Sequence, residues 1–341
     1  MLNLAIIGAG PIGTEAAIRA QRAGLSYVLL DKGAMVDAIY RWPTFLTFFT
    51  TSERLEVGAH PLVTATDKPT RREALEYYRR VAQREQLNVR LYSPVTDVRR
   101  VEAGFELSVV PDNKPAETLR ARRVAVATGY FDTPNRLNVP GESLENVSHY
   151  FDEAHLHWNR DITIVGAGSS AADAALELFR AGAKVTMVHR GDGLRHSLKY
   201  WVRPNLENRI KEGSITAHFS SVVREITPTT VVIEKQLDQG LKVLEIPTDK
   251  TFALTGYYAS PGGFLKTLNL QVSPVDHSVA LNPETFESTV PGLYFIGSAG
   301  FGRRTSDVFI ENGLVHAQRA LDDIAQRVAT EKNVSREPVG V

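Results

Sequence analysis

Apolar and polar positions mark out a complete unit within the first 33 residues. Leu4-Ala5-Ile6-Ile7 is a short apolar run, followed at once by Gly8-Ala9-Gly10-Pro11-Ile12-Gly13. A helical stretch covers Thr14 to Ala23 and stops at Gly24. A second apolar run, Tyr27-Val28-Leu29-Leu30, ends on Asp31. The pattern predicts strand, glycine turn, helix, strand and acid. Residues 37–62 are irregular and aromatic, with Tyr40, Trp42, Phe45, Phe48 and Phe49 around Pro43 and a Thr50-Thr51-Ser52 cluster, which predicts a loop. Thr70 and Glu73 have the spacing of a capping box and predict a helix to about Arg84. Strands are predicted over 87–92, 95–98, 105–110 and 118–127, the last ending in Ala127-Thr128-Gly129.

The opening pattern then returns. Ile162-Thr163-Ile164-Val165 leads into Gly166-Ala167-Gly168-Ser169-Ser170-Ala171, 158 residues after the first copy. The offset holds without a gap: Arg22-Ala23-Gly24 falls on Arg180-Ala181-Gly182 and Gly33 on Gly191. An internal repeat with all its stop signals in phase points to two similar units. Beyond it, 215–219, 221–226 and 231–235 read as antiparallel strands, and 251–256 as a strand ending in a second Thr-Gly. Val290-Pro291-Gly292 precedes a strand that closes on Gly297-Ser298, and a last helix is predicted over about 306–329. The Gly297-Ser298 turn either joins strand to helix or places a helix N-terminus beside an anionic ligand.

A glycine turn between a strand and a helix, with an acid 21 residues past the second glycine, fits a dinucleotide. Gly8 allows the tight turn, Gly10 lets a pyrophosphate reach the backbone, and Gly13 lets helix and strand pack closely. The helix N-terminus favours phosphate, and Asp31 can accept a ribose hydroxyl. The repeat differs where the ligand is read. Ala171 replaces the third glycine, and His189-Arg190 replaces Asp31-Lys32. An acid suits a free 2′-hydroxyl, whereas His189, Arg190 and Arg195 could clamp a 2′-phosphate. The first unit therefore reads as binding FAD and the second NADPH. The aromatic loop could seal a core edge or form a wall beside a flat cofactor.

Composition narrows the chemistry. The 341 residues are enough for two domains, and 39 basic against 39 acidic side chains give no field that would favour nucleic acid or an anionic membrane. No apolar run has membrane-spanning length and no signal peptide is apparent, so the expected location is the cytoplasm. Cysteine is absent from the sequence, which rules out protein disulfides, thiolate metal sites and a cysteine nucleophile. No metal-ligand spacing occurs among the nine histidines.

Two such units, a Thr-Gly after each, and a closing Gly292-Leu293-Tyr294-Phe295-Ile296-Gly297 resemble the two-dinucleotide flavoprotein reductases of thioredoxin-reductase type. Finer strings are similar to the bacillithiol disulfide reductase family. These are Trp42-Pro43-Thr44-Phe45 with Thr47-Phe48-Phe49-Thr50-Thr51, the stretch from Gly129-Tyr130-Phe131-Asp132 to Asn135, Ser148-His149-Tyr150, Gly168 to Glu177, and Phe309-Ile310-Glu311-Asn312-Gly313. The resemblance covers nearly the whole chain. It implies an α/β fold of two Rossmann-like, three-layer ββα domains, the NADPH domain (133–257) being inserted into a discontinuous FAD domain (1–132 and 258–341).

It also implies contacts to FAD from Gly8, Gly10, Pro11, Ile12, Gly13, Asp31, Lys32, Trp42, Thr51, Val95, Thr128, Gly129, Gly297, Ser298, Phe309 and Ile310. NADPH would be held by Gly166, Gly168, Ser169, Ser170, Ala171, His189, Arg190 and Arg195. No side chain is expected to be catalytic in itself, because the cofactors carry the chemistry. The chain departs from its relatives at Ser298, where most carry Asp, and at Ile12, where a cysteine often stands. The expected activity is transfer of reducing equivalents from NADPH through FAD to a small disulfide without a protein thiol. The alternatives are a ferredoxin- or flavodoxin-NADP reductase, a low-turnover redox sensor and a flavin monooxygenase. A basic pair, Arg303-Arg304, either holds substrate carboxylates or forms an exposed turn. A homo-oligomer, dimer or tetramer, is expected.

Overall fold

A computed structural model describes residues 1–196, 198–237 and 240–334. The elements follow in chain order: β1 (Leu2–Ile7), α1 (Pro11–Arg22), β2 (Tyr27–Leu30), α2 (Asp37–Tyr40), α3 (Arg71–Arg84), β3 (Val89–Arg90), β4 (Val95–Val101), β5 (Gly104–Val109) and β6 (Glu117–Val126). Next come β7 (Val147–Ser148), β8 (Asp161–Val165), α4 (Ser169–Arg180), β9 (Lys184–Val188), α5 (Arg203–Lys211), β10 (Ile215–His218), β11 (Ser221–Ile226), β12 (Thr230–Leu237) and β13 (Gly240–Pro247). The chain closes with β14 (Lys250–Ala253), β15 (Leu293–Phe295) and α6 (Ile310–Val334). Its backbone divides into two compact units. One comprises Met1–Arg41, Phe45–Thr133 and the chain from Tyr257 onward; the other comprises Trp42–Thr44 and Pro134–Gly256.

In the first unit, β3-β2-β1-β6 form a parallel sheet, and β15 extends it by pairing with the second half of β6. The first half of β6 instead pairs antiparallel with β5, so one long strand serves both the sheet and a β4-β5-β6 meander. Ala5, Ile7, Val28 and Leu30 of the sheet share a buried core with Val98, Phe105, Leu107 and Val109 of the meander. α1 and α6 pack side by side. Burial of these apolar faces removes them from water at about 25 cal/mol per Å² and is what holds the three layers together. The predicted capping box at α3 is present: the Thr70 hydroxyl accepts the Glu73 N–H, and the Glu73 carboxylate accepts the Thr70 N–H at 2.8 Å.

In the second unit, β10-β9-β8-β14-β7 form a parallel sheet. α4 and α5 are on one side, where Ala171, Ala175, Leu178 and Leu206 join Ile162, Ile164, Val185 and Met187. An antiparallel β11-β12-β13 meander adds a second core of Val223, Ile226, Val231, Ile233 and Ile246 against Val165 and Val188. This is again the three-layer ββα arrangement, so both halves of the expected α/β architecture are present.

The structure corrects two points. β10 is parallel to β9, not part of an antiparallel set, because α5 intervenes between them and makes a β-α-β crossover. The antiparallel run begins only after Ser220, whose φ of 50° turns the chain. The last helix starts at Ile310 rather than near Ser306. Asn312 sets that boundary, since its Oδ1 accepts the Phe309 N–H and its Nδ2 donates to the Asp307 carbonyl, both at 2.7 Å.

Candidate functional site

The sequence repeat is a repeat of hydrogen bonds. Gly8 N–H donates to the Leu30 carbonyl at 2.7 Å, and Gly166 N–H to the Val188 carbonyl at 2.9 Å. Thr14 N–H closes the first turn of α1 on Gly10, as Ala172 N–H does for α4 on Gly168. Gly24 and Gly182 end the two helices through matching bonds to Gln21 and Phe179. α1 and α4 have the same length and the same 158-residue offset.

Within each turn the glycines have different jobs. Gly8 and Gly166 have φ of 111° and 137°, where an L side chain is strained. A Cβ on Gly8 would lie 2.5 Å from the Ala127 carbonyl oxygen, and one on Gly166 would overlap the Leu254 carbonyl. A Cβ on Gly13 would overlap the Gly8 carbonyl, whereas Ala171 occupies the matching place in the second unit. Gly10 is different. Nothing lies within 4 Å of where its Cβ would be, and only Arg195 Cδ, at 4.0 Å, approaches the same point at Gly168. The protein itself does not require these two glycines. Each leaves open space at a helix N-terminus with no acid in its first turn and no side-chain cap. Such a cradle fits a phosphate.

The carboxyl ends of β1, β6 and β15 lie side by side, so three turns converge in the first unit. Ser298 Oγ is 3.9 Å from the Cβ position of Gly129, which places Thr128-Gly129 against Gly297-Ser298. Gly297 opens a single 3₁₀ turn, Gly297–Gly300, and the long helix begins only at Ile310. The anion-attracting N-terminus of a full helix is therefore supplied by α1 and not by this turn. Asp31 closes the other side. Its Oδ2 accepts the Ala9 N–H at 2.6 Å and its Oδ1 the Gly33 N–H at 2.8 Å. Burial raises its pKa, and the two backbone bonds oppose that rise. Two of its roughly four acceptor positions remain open to further donors. Asp31 is thus also the clasp of the glycine turn, a role that its spacing alone does not reveal.

Other expected contacts have partners of their own. Lys32 Nζ is 2.8 Å from Asp132 Oδ2, and Arg41 Nη2 is 2.5 Å from Asp132 Oδ1. Asp132 stands inside the Gly129–Asn135 string, and nothing in its spacing marks it as the partner of both cations. Thr51 precedes a 3₁₀ turn, and its hydroxyl donates to Glu53 at 2.5 Å. Val95 opens β4 and packs against the first core. Trp42 is half-buried and belongs with the second unit, whereas Phe45 and Phe49 are exposed and Phe48 is buried. Phe309 is half exposed, just ahead of Ile310 and α6. Arg304 pairs with Asp276 at 3.2 Å, and Arg303 lies over the Tyr258 ring.

Pro11 is the first residue of α1, where its missing N–H costs nothing. Ile12, next to it, fits between two glycines: its Cγ1 is 3.1 Å from the Cβ position of Gly297 and its Cδ1 3.0 Å from that of Gly313. The position is filled by hydrocarbon, where the family resemblance leads one to expect a thiol.

In the second unit, Ser169 and Ser170 open α4, and His189-Arg190 follow β9. Among the described residues neither Arg190 nor Arg195 makes an ion pair, and both are exposed. Burial first, then the two arginines, holds the pKa of His189 below its usual range. The imidazole is thus neutral at pH 7, and the two guanidinium groups carry the positive charge. The chemistry of this donor set fits a phosphate monoester.

No helix among the described residues is long and apolar enough to cross a membrane, and none of their His, Asp and Glu clusters could hold a metal ion. The chain is 36% identical to bacilliredoxin reductase Bdr of Bacillus subtilis over 94% of its own length and 97% of that protein. A solved structure of bacillithiol disulfide reductase Bdr (YpdA) from Bacillus cereus superposes with a TM-score of 0.91 at 36% identity, covering 96% of this chain and 99% of that one. Ferredoxin–NADP reductase of Leuconostoc citreum is 27% identical over 94% of this chain and 90% of that protein. The thioredoxin reductase of T. acidophilum, at 20% identity and a TM-score of 0.73, shares the fold. A family model described as pyridine nucleotide-disulphide oxidoreductase matches residues 5–297. The chain therefore belongs to the pyridine nucleotide-disulphide oxidoreductase family and is an FAD- and NADPH-dependent flavoprotein oxidoreductase of disulfide-reductase type.

Proposed function

We propose that the acceptor is a low-molecular-weight disulfide, with bacillithiol disulfide the first to test. The observation that carries this reading is 36% identity to bacilliredoxin reductase Bdr along nearly the whole of both chains. The reaction balances as NADPH plus a proton plus one disulfide giving NADP⁺ and two thiols. When bound, NADPH supplies the hydride, and FAD relays the two electrons to the acceptor.

The chain's own residues bind and orient. Residues 1–132 and 258–341 take FAD, and 133–257 take NADPH. Gly10 and the N-terminus of α1 receive the FAD pyrophosphate, and Asp31 accepts from the ribose. Gly8, Gly13 and Pro11 set the turn, while Lys32, Thr51, Val95, Thr128, Gly129, Gly297, Ser298, Phe309 and Ile310 line the rest. Gly166, Gly168, Ser169, Ser170 and Ala171 hold the NADPH pyrophosphate, and His189, Arg190 and Arg195 its 2′-phosphate. Ile12 keeps the neighbourhood of Gly297 apolar. With no cysteine in the chain, no mixed disulfide with the protein forms. We place the enzyme in the cytoplasm as a homo-oligomer.

The test is NADPH oxidation by the purified yellow protein with bacillithiol disulfide, ferredoxin and flavodoxin offered in parallel. Turnover with the disulfide, at a rate untouched by N-ethylmaleimide, is expected. Turnover confined to ferredoxin or flavodoxin selects the electron-transferase reading, which the absence of cysteine favours. Failure of NADPH to bleach the flavin anaerobically removes both.

A further inference from the structure

The loop that carries Arg195 is tied down from three sides. Arg195 N–H donates to the Ala167 carbonyl, inside the glycine turn, at 3.4 Å. The Arg195 carbonyl accepts the Leu198 N–H at 3.0 Å and Arg203 Nη2 at 2.6 Å. The same Arg203 nitrogen is 3.5 Å from the Leu194 carbonyl, and its Nη1 pairs with Glu207 at 2.9 Å, one turn along α5. Lys199 Nζ reaches back to Asp173 Oδ2 on α4 at 2.8 Å. That pair is largely sheltered, with side-chain exposures of 15% and 23%. Two cations of this basic segment are therefore spent on the protein itself, while Arg190 and Arg195 are left unpaired among the described residues.

We infer that Lys199 and Arg203 are positioning residues for nucleotide selectivity. They pin the loop between β9 and α5 so that Arg195 stands over the open space at Gly168. The inference rests on the reading of this unit as the NADPH site and adds residues to it that do not touch the nucleotide. The physical reason is entropy. A guanidinium on a free loop must be ordered when it meets a phosphate, whereas one on a fixed backbone loses less on binding. Asp173 has a second effect. It neutralises Lys199, so the site keeps discrete donors in Arg190 and Arg195 rather than a diffuse cationic patch.

The test is calorimetric binding of 2′,5′-ADP and 5′-AMP to the FAD-loaded protein, which needs no turnover. Wild type is expected to prefer 2′,5′-ADP. Arg203→Met is expected to weaken 2′,5′-ADP about tenfold, the scale of one charge-assisted hydrogen bond, and to leave 5′-AMP within about twofold. Arg203→Lys restores part of the loss. Lys199→Met with Asp173→Leu, which removes both partly buried charges together, lowers the same preference without leaving either charge stranded. In Arg195→Ala the Arg203→Met change adds no further loss. Equal weakening of both nucleotides, or full preference retained in Arg203→Met and in the double variant, overturns the inference. A wild type that does not distinguish the two nucleotides instead overturns the NADPH assignment of the unit.

Discussion

Single residues separate what the fold needs from what the ligand needs. Gly13 and Gly10 are three positions apart in one turn, yet substitution should affect them oppositely. Gly13→Ala drives a methyl into the Gly8 carbonyl, so a loss of about 3 kcal/mol or more is expected in denaturant unfolding, at or beyond the upper range of ordinary overpacking. Gly10→Ala meets no protein atom and should change stability by under about 1 kcal/mol, while FAD retention after gel filtration falls steeply. Equal stability losses in the two variants would remove the argument that Gly10 keeps open a ligand's place. Asp31→Asn gives a mixed result by the same logic. It removes a carboxylate that braces Ala9 and Gly33 and that, in the proposed function, accepts from the FAD ribose, so thermal stability and FAD affinity are expected to drop together.

At the scale of elements, local signals work where the forces are local. Thr70 and Glu73 form the capping box that their spacing predicts, and Thr70→Ala should cost about 1 kcal/mol with a matching fall in the unfolding midpoint. Both strand–turn–helix units were legible because each combines an apolar run, a glycine turn and a helix stop within thirty residues. Pairing direction was not. Ile215 to His218 is as apolar in pattern as the strand after it, and only α5 before it makes it parallel. β13 carries no clear strand signal in the sequence, because nearly all its residues meet solvent and its apolar positions do not mark a buried face. The candidate site was legible to the same extent. Glycines and end-of-strand residues could be found from spacing. Asp132, which holds Lys32 and Arg41, lies about a hundred residues from both, and only the folded sheet brings them together.

The whole molecule carries a pH signature. Burial holds His149, His157, His189, His218 and His316 below the usual histidine range. As pH falls through about 6.5, the unfolded chain takes up protons that the folded chain refuses. Stability is therefore full above that value and is lost as pH descends towards the folded pKa values. The half-buried Asp31 works in the opposite sense, but its ordinary range lies lower. A urea midpoint that is lower at pH 5.5 than at pH 7.5 is expected. His316, stacked 3.9 Å from Phe286 and near Arg319, should contribute visibly, so His316→Gln flattens the profile. Equal midpoints at the two pH values in wild type would contradict this account.

The seat of Ile12 couples two segments that are three hundred residues apart in the chain. Gly313 is the fourth residue of α6 and needs no unusual backbone angle, so its missing side chain reflects what leans on it. A helical glycine costs up to about 1 kcal/mol relative to alanine. The helix bears that cost to admit the isoleucine. Shrinking residue 12 should release it. Gly313→Ala is expected to destabilise the wild type, where the new methyl meets Ile12 Cδ1 at 3.0 Å, and to stabilise Ile12→Ala by up to about 1 kcal/mol. Such a reversal of sign in a double-mutant cycle would make positions 12 and 313 an epistatic pair. The order of substitution then matters: alanine at position 313 is tolerated only once the side chain at position 12 has become smaller.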